Sequence, residues 1–117
     1  MSCPQFVATS LSVRTAAHMA HLTSRSYAQH VALGEFYPAL EDLVDRYAEV
    51  YMGYTAKLPT FPGIKPVATE PIALLEEYLE DVRLEAGEDH DSEALKNILA
   101  EIEELTARTL YKLRFLK

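Results

Sequence analysis

The chain has 117 residues, 49% of them hydrophobic and 25% charged, with a formal net charge of −7. That is enough apolar chain for one hydrophobic core and too little for two, so residues 1–117 read as a single domain. The acidic balance argues against a nucleic-acid partner; no apolar run approaches the ~20 residues a membrane span needs; and one cysteine, Cys3, excludes an internal disulfide framework and a cysteine-based zinc site.

The first residues, Met1-Ser2-Cys3-Pro4-Gln5, carry no basic stretch leading into an apolar core. The expectation is therefore a chain without a secretory signal, in the cytoplasm. No stretch alternates apolar and polar residues with β-branched enrichment, so four helices and no strand are expected.

The first helix is expected from about Thr9 to Leu22, with Leu11, Thr15, His18 and Leu22 as its core stripe and alanines at 16, 17 and 20 on the flank. Thr23-Ser24-Arg25-Ser26 breaks it. Ser26 followed by Gln29 matches a capping box and opens a second helix, expected to run to about Lys57. Its seam is Leu33, Phe36, Leu40, Leu43, Tyr47, Val50 and Tyr54, spaced by threes and fours. Pro38 lies inside this seam, where it cannot donate to the carbonyl of Gly34 and its ring crowds it. A kink near Gly34 to Pro38 is expected, with a helix that begins only at Pro38 as the alternative.

Leu58 to Thr69 reads as a loop, because Pro59, Pro62, Gly63 and Pro66 exclude regular structure. Extended at ~3.3 Å per residue, it reaches on the order of 40 Å, enough to run the length of a bundle. A third helix is expected from Pro71, capped by Thr69, with the stripe Ile72, Leu75, Leu79 and Val82, ending at Gly87. Glu88 to Asp91 forms an acidic turn. Asp91 is the expected cap of a fourth helix reaching about Leu116, with the stripe Leu95, Ile98, Ile102 and Leu105 continuing through Leu110, Leu113 and Leu116. Its acidic start and basic end (Arg108, Lys112, Arg114, Lys117) complement the helix dipole. Four such helices make an all-α four-helix bundle, two hairpins joined by a crossover.

Three of the four histidines, His18, His21 and His30, fall in the first two helices. Asp45 and Glu49 follow one turn apart on one face of the second. Imidazoles with carboxylates suit iron, zinc or manganese. Within one chain they cannot all meet, since His30 and Asp45 lie fifteen positions apart, ~22 Å along a helix. A metal site from these residues requires a second copy packed antiparallel, so the metal reading is also a dimer reading.

His18, eleven intervening residues, His30, fourteen more, Asp45, three more, Glu49: this spacing resembles the ferroxidase ligand pattern of the miniferritins, the Dps-type DNA-protection proteins of starved cells. The resemblance implies a ferritin-like bundle, a homo-oligomer built on dimers, and Fe(II) oxidised at an intersubunit site by His18, His30, Asp45 and Glu49. An alternative alignment puts His21 in place of the first histidine. Ser26 through Tyr37, with Asp45 to Glu49, Tyr51 and Gly53, also resembles an uncharacterised group of small phage-encoded proteins, which would place the chain in a host cytoplasm. From that resemblance follows a reading of another class. It is a non-enzymatic phage protein that sequesters a small molecule or a host protein, with Arg46, Tyr51 and Tyr54 as ligand-binding residues. Gly34, standing where miniferritins carry an acid, and the tyrosine-rich second helix motivate it. The tyrosines at 27, 37, 47, 51 and 54 are otherwise expected at or near the core.

Overall fold

The computed structural model describes residues 1–88, 90 and 92–117. It contains α1 (Cys3–Thr23), α2 (Tyr27–Thr55), α3 (Pro71–Ala86) and α4 (Glu93–Phe115), with no strand among the described residues. The all-α bundle expected from the sequence is therefore the fold. None of these helices is long and apolar enough to cross a membrane.

Each helix begins where a side chain satisfies its free amides. α1 starts six residues before the expected Thr9. Ser2 and Gln5 form a reciprocal capping box, with the Ser2 amide donating to Gln5 Oε1 at 2.8 Å, and Pro4 sits in the first turn. Ser26 caps α2 as expected, through the Gln29 amide. α3 is capped by Glu70 rather than Thr69: its carboxylate accepts from the amides of Ile72 and Ala73, at the positive end of the helix. α4 is capped by Ser92 through the Leu95 amide. The expected cap Asp91 lies outside the described residues. α2 runs unbroken through Pro38, which excludes a helix starting there; Pro38 is exposed, so its ring lies against solvent. α2 ends at Thr55, two residues before the expected Lys57, because Ala56 turns left-handed (φ 54°) and returns its amide to the Met52 carbonyl.

The helices pack in a ring: α1 on α2, α2 on α4, α4 on α3, α3 on α1. Arg46–Glu101 and Lys112–Glu35 register α2 antiparallel to α4, and Arg114–Glu76 ties the end of α4 to the start of α3. α2 and α3 are thus diagonal and parallel, and the crossover between them must travel the length of the bundle. Its fifteen residues, 56–70, reach roughly 50 Å when extended, against a longest dimension of 45 Å. It lies along α1. Pro59 and Phe61 sit near Cys3, Pro4 and Val7; Pro62, Pro66 and Val67 near Ala8 and Thr9; Thr69 and Pro71 near Ala16 and Ala20.

The core contains Leu33, Phe36, Leu40, Val44 and Tyr47 of α2, Leu75, Tyr78 and Val82 of α3, and Ile98, Leu99, Ile102 and Leu110 of α4. Phe6 stacks on Tyr78 (6.1 Å) and meets Tyr47 edge-on (5.5 Å). Two expectations are corrected here. The core stripe of α1 is Phe6, Ser10, Val13 and Ala17, and Leu11, Thr15 and Leu22 face outward. Beyond Phe6 the small residues let α1 approach its neighbours closely, and Leu11 and Leu22 are left outside. On α2, Val44 is buried more deeply than Leu43, while Tyr54, Tyr27 and, just past the end of α4, Leu116 are exposed because the bundle ends before covering them.

Candidate binding face on the first hairpin

The antiparallel pairing of α1 and α2 brings the three histidines together. His21 Nδ1 lies 2.6 Å from the His30 carbonyl, and His30 Nδ1 lies 2.8 Å from the His21 carbonyl. A carbonyl can only accept, so each Nδ1 carries a proton, and the tautomer this selects has its lone pair at Nε2. The two rings stack at 3.9 Å, 17° from parallel. Gly34 makes room for them: a Cβ there would stand 2.8 Å from His21 Cε1. One turn back, His18 stacks on Tyr37 at 4.1 Å, and Arg14 lies over the same tyrosine ring while reaching Glu41 at 3.4 Å. The result is a ladder of rings, half-buried, that ties the hairpin together.

Around this ladder the hairpin's outer face carries exposed apolar side chains among polar ones. Leu22 is 67% exposed and Tyr27 81%, with Leu11 and Val31 at the edge of exposure. Further along the outside of α2 come Asp42, Asp45 and Glu49, all without an ion-pair partner among the described residues.

The ladder also tests the metal ligands. An imidazole binds a metal in its own ring plane, at ~2.0–2.1 Å from nitrogen. With the planes of His21 and His30 face to face, no single ion lies in both. Asp45 and Glu49 are far from the histidines along α2, and no group of three potential ligands gathers among the described residues. Within one chain, then, the donor set does not fit a metal ion.

Arg46, Tyr51 and Tyr54 are likewise not brought together. Arg46 pairs with Glu101 and, with Glu49, Val50 and Asn97, lines a shallow depression of about 490 Å³ between α2 and α4. Tyr51 faces the start of α1 and the crossover, beside Pro4, Lys57 and Pro59. Tyr54 is exposed at the helix end.

Sequence reasoning missed a buried polar group at the far end of the bundle. Glu85 is 1% exposed. Tyr47 donates to its Oε2 at 2.7 Å, across the α2–α3 diagonal, and Oε1 has no partner among the described residues. His90 Nε2 lies 2.7 Å from the Glu85 carbonyl. Burial raises the Glu85 carboxyl above its ordinary range, although the Tyr47 hydrogen bond and nearby positive charge oppose this. Burial, and then the Glu85 charge, push the Cys3 thiol up to about 12. The signal was present: Leu75, Tyr78, Val82 and Glu85 share one helical stripe, and the last of them is an acid.

The chain has relatives among known proteins. A family of unknown function (DUF5856) matches residues 21–113. The chain belongs to that family. An uncharacterised 14.6 kDa protein encoded in the mobD-ri intergenic region of Enterobacteria phage T4 is 32% identical over 65 residues, which cover 54% of this chain. The chain spans about half the length of that relative (51%). No solved structure matches.

Proposed function

We propose that this chain is a non-enzymatic, phage-type binding protein that works as a dimer, joined across the outer face of the α1–α2 hairpin. The observation that carries this is the outward stripe of α1. Leu11 and Leu22, with Tyr27 and Val31 of α2, leave apolar side chains in solvent on a hairpin that a ring ladder ties together. Exposed apolar side chains on a preorganised face are what a protein partner covers. A second copy placed antiparallel also answers the charges. It brings Arg25 and the imidazole end of one hairpin over the unpaired Asp45 and Glu49 of the other. The likeness to the phage T4 protein supports the phage assignment.

The test is sedimentation equilibrium of the wild type and of the Leu22→Asp, Val31→Asp double variant. The wild type is expected at twice 13.2 kDa and the variant at 13.2 kDa, with the same helical circular dichroism. A monomeric wild type at 100-micromolar concentrations, as an order-of-magnitude ceiling, removes the reading.

A second reading keeps iron as substrate, in a ferritin-like assembly. What favours it is the engagement of both Nδ1 protons with carbonyls, which leaves the Nε2 lone pairs of His21 and His30 available. In an antiparallel dimer, His18 or His21, with His30, would face Asp45 and Glu49 of the other copy. One of the stacked rings must swing out to share an ion. Calorimetric titration with Fe(II) under anaerobic conditions decides it: saturable uptake abolished by Asp45→Ala supports it, and no uptake excludes it.

A further inference from the structure

The crossover has a pattern that the dimer does not use. Leu58, Phe61 and Ile64 recur at every third residue, the period of a polyproline II helix. Each is exposed: Leu58 89%, Ile64 81% and Phe61 48%. The backbone has little freedom to be otherwise. Pro59, Pro62 and Pro66 fix their own φ, and Leu58, Phe61 and Lys65, each preceding a proline, are pushed to extended backbone. Pro59 and Pro62 are half-buried and lie against the start of α1. The prolines, with the inner half of Phe61 beside Cys3, Pro4 and Val7, hold the strap to the bundle, while Leu58, Ile64 and the outer half of Phe61 stand in solvent. Upstream, the left-handed Ala56 turns the chain out of α2 at Lys57. Lys57 and Lys65 bracket the apolar edge, and neither joins an ion pair among the described residues, in a chain that is otherwise acidic.

We propose that this strap is a docking ligand: its Leu58–Phe61–Ile64 edge, with Lys57 and Lys65 at either end, lies in an aromatic-lined groove with a carboxylate rim on a partner protein. Three arguments select that partner. A three-residue period at ~3.1 Å per residue sets the apolar side chains ~9 Å apart, so the groove offers subsites at that spacing over ~19 Å. The extended backbone is already ordered, so docking loses little conformational entropy. The two unpaired ammonium groups select carboxylates at the groove's ends and disfavour a basic surface. The strap crosses α1 from beside Ala48 and Tyr51 of α2, at Leu58 and Phe61, to beside Glu77 and Asp81 of α3, at Pro62 to Val67.

The test places p-benzoylphenylalanine at position 58, at position 64, or at the exposed α4 control Ala100, in the full chain expressed in bacteria, with photolysis and mapping of the crosslinked peptide. The expected result is one partner from positions 58 and 64 but not from Ala100. Its mapped peptide carries aromatic and acidic residues, and its yield falls at least tenfold with Lys57→Glu and Lys65→Glu together. Since Leu58 and both lysines are exposed, these variants are expected to keep the wild-type helical spectrum. Crosslinking to another copy of this chain overturns the proposal. So does a yield no greater than that of Ala100, or a yield indifferent to the charge reversal.

Discussion

Replacing Glu85 by glutamine isolates the energetic consequence of the buried carboxyl. The folded carboxyl is raised by burial, from an ordinary value of 4.5. Between that value and the raised one, the native state holds a proton that the unfolded chain has released. Stability is then fully present below the ordinary carboxyl range and falls as pH rises through the folded value, levelling off above it. The size follows from Oε1, which is buried and unpartnered among the described residues. An unsatisfied buried polar group costs ~1–3 kcal/mol, and more when charged. The glutamine side chain would keep an oxygen for the Tyr47 hydroxyl and carry no charge; its amide nitrogen takes the unpartnered Oε1 position, so what it removes is the added cost of the charge. At ~2.1 cal/mol/K of unfolding entropy per residue, 1 kcal/mol in a chain of this length is about 4 °C. Thermal melts of both proteins from pH 4.5 to 8.5 are therefore expected to diverge, with the glutamine variant gaining on the wild type as pH rises, by about 4 °C for each 1 kcal/mol that the charge costs. Tyr47→Phe removes the hydrogen bond that stabilises the carboxylate among the described residues and steepens the decline, and Glu85→Gln flattens it again. A melting-temperature difference that does not change with pH, or a wild type that gains on the glutamine variant with rising pH, refutes the reasoning.

Gly34→Ala forces His21 out of its seat, 2.8 Å from the new methyl. The hydrogen bond and stack it loses, ~2 kcal/mol together, outweigh a helix-propensity gain of ~1 kcal/mol. Denaturant unfolding should show a net loss of ~1 kcal/mol that turns into a gain when His21→Ala is already present; two additive substitutions would mean that the ring ladder contributes nothing. Ala56→Gly relieves a left-handed residue and should stabilise by ~0.5–1 kcal/mol in the same assay, with a loss indicating that the turn is not strained. Leu22→Asp with Val31→Asp should convert dimer to monomer in sedimentation without changing the helical spectrum.

Much of the fold was legible because periodicity and punctuation agree over long stretches. α3 falls at its expected residues because Pro71 and Gly87 bracket one clean stripe. The core face of α1 differs from the expected one, since Leu11 and Leu22 outweigh Ser10, Val13 and Ala17 in hydropathy, while close helix packing prefers the smaller set. Its early start hid in the pair Ser2 and Gln5, which reads as a capping box only once Cys3-Pro4 is allowed as a first turn. The histidines stood out as a group, but spacing along helices says nothing of ring orientation. It could not show that His21 and His30 bond to each other's carbonyls, nor that Gly34 is there to admit a ring as well as to ease Pro38. Glu85 was passed over because an acid on a helix is ordinarily solvated, and only the α2–α3 diagonal buries this one.

A native mass spectrum of the purified protein, with and without added Fe(II), tests the central claim most directly. An assembly built on twice 13.2 kDa that does not change mass with iron is the result predicted here. A monomer, or an assembly that gains iron in step with its dimer interfaces, contradicts it.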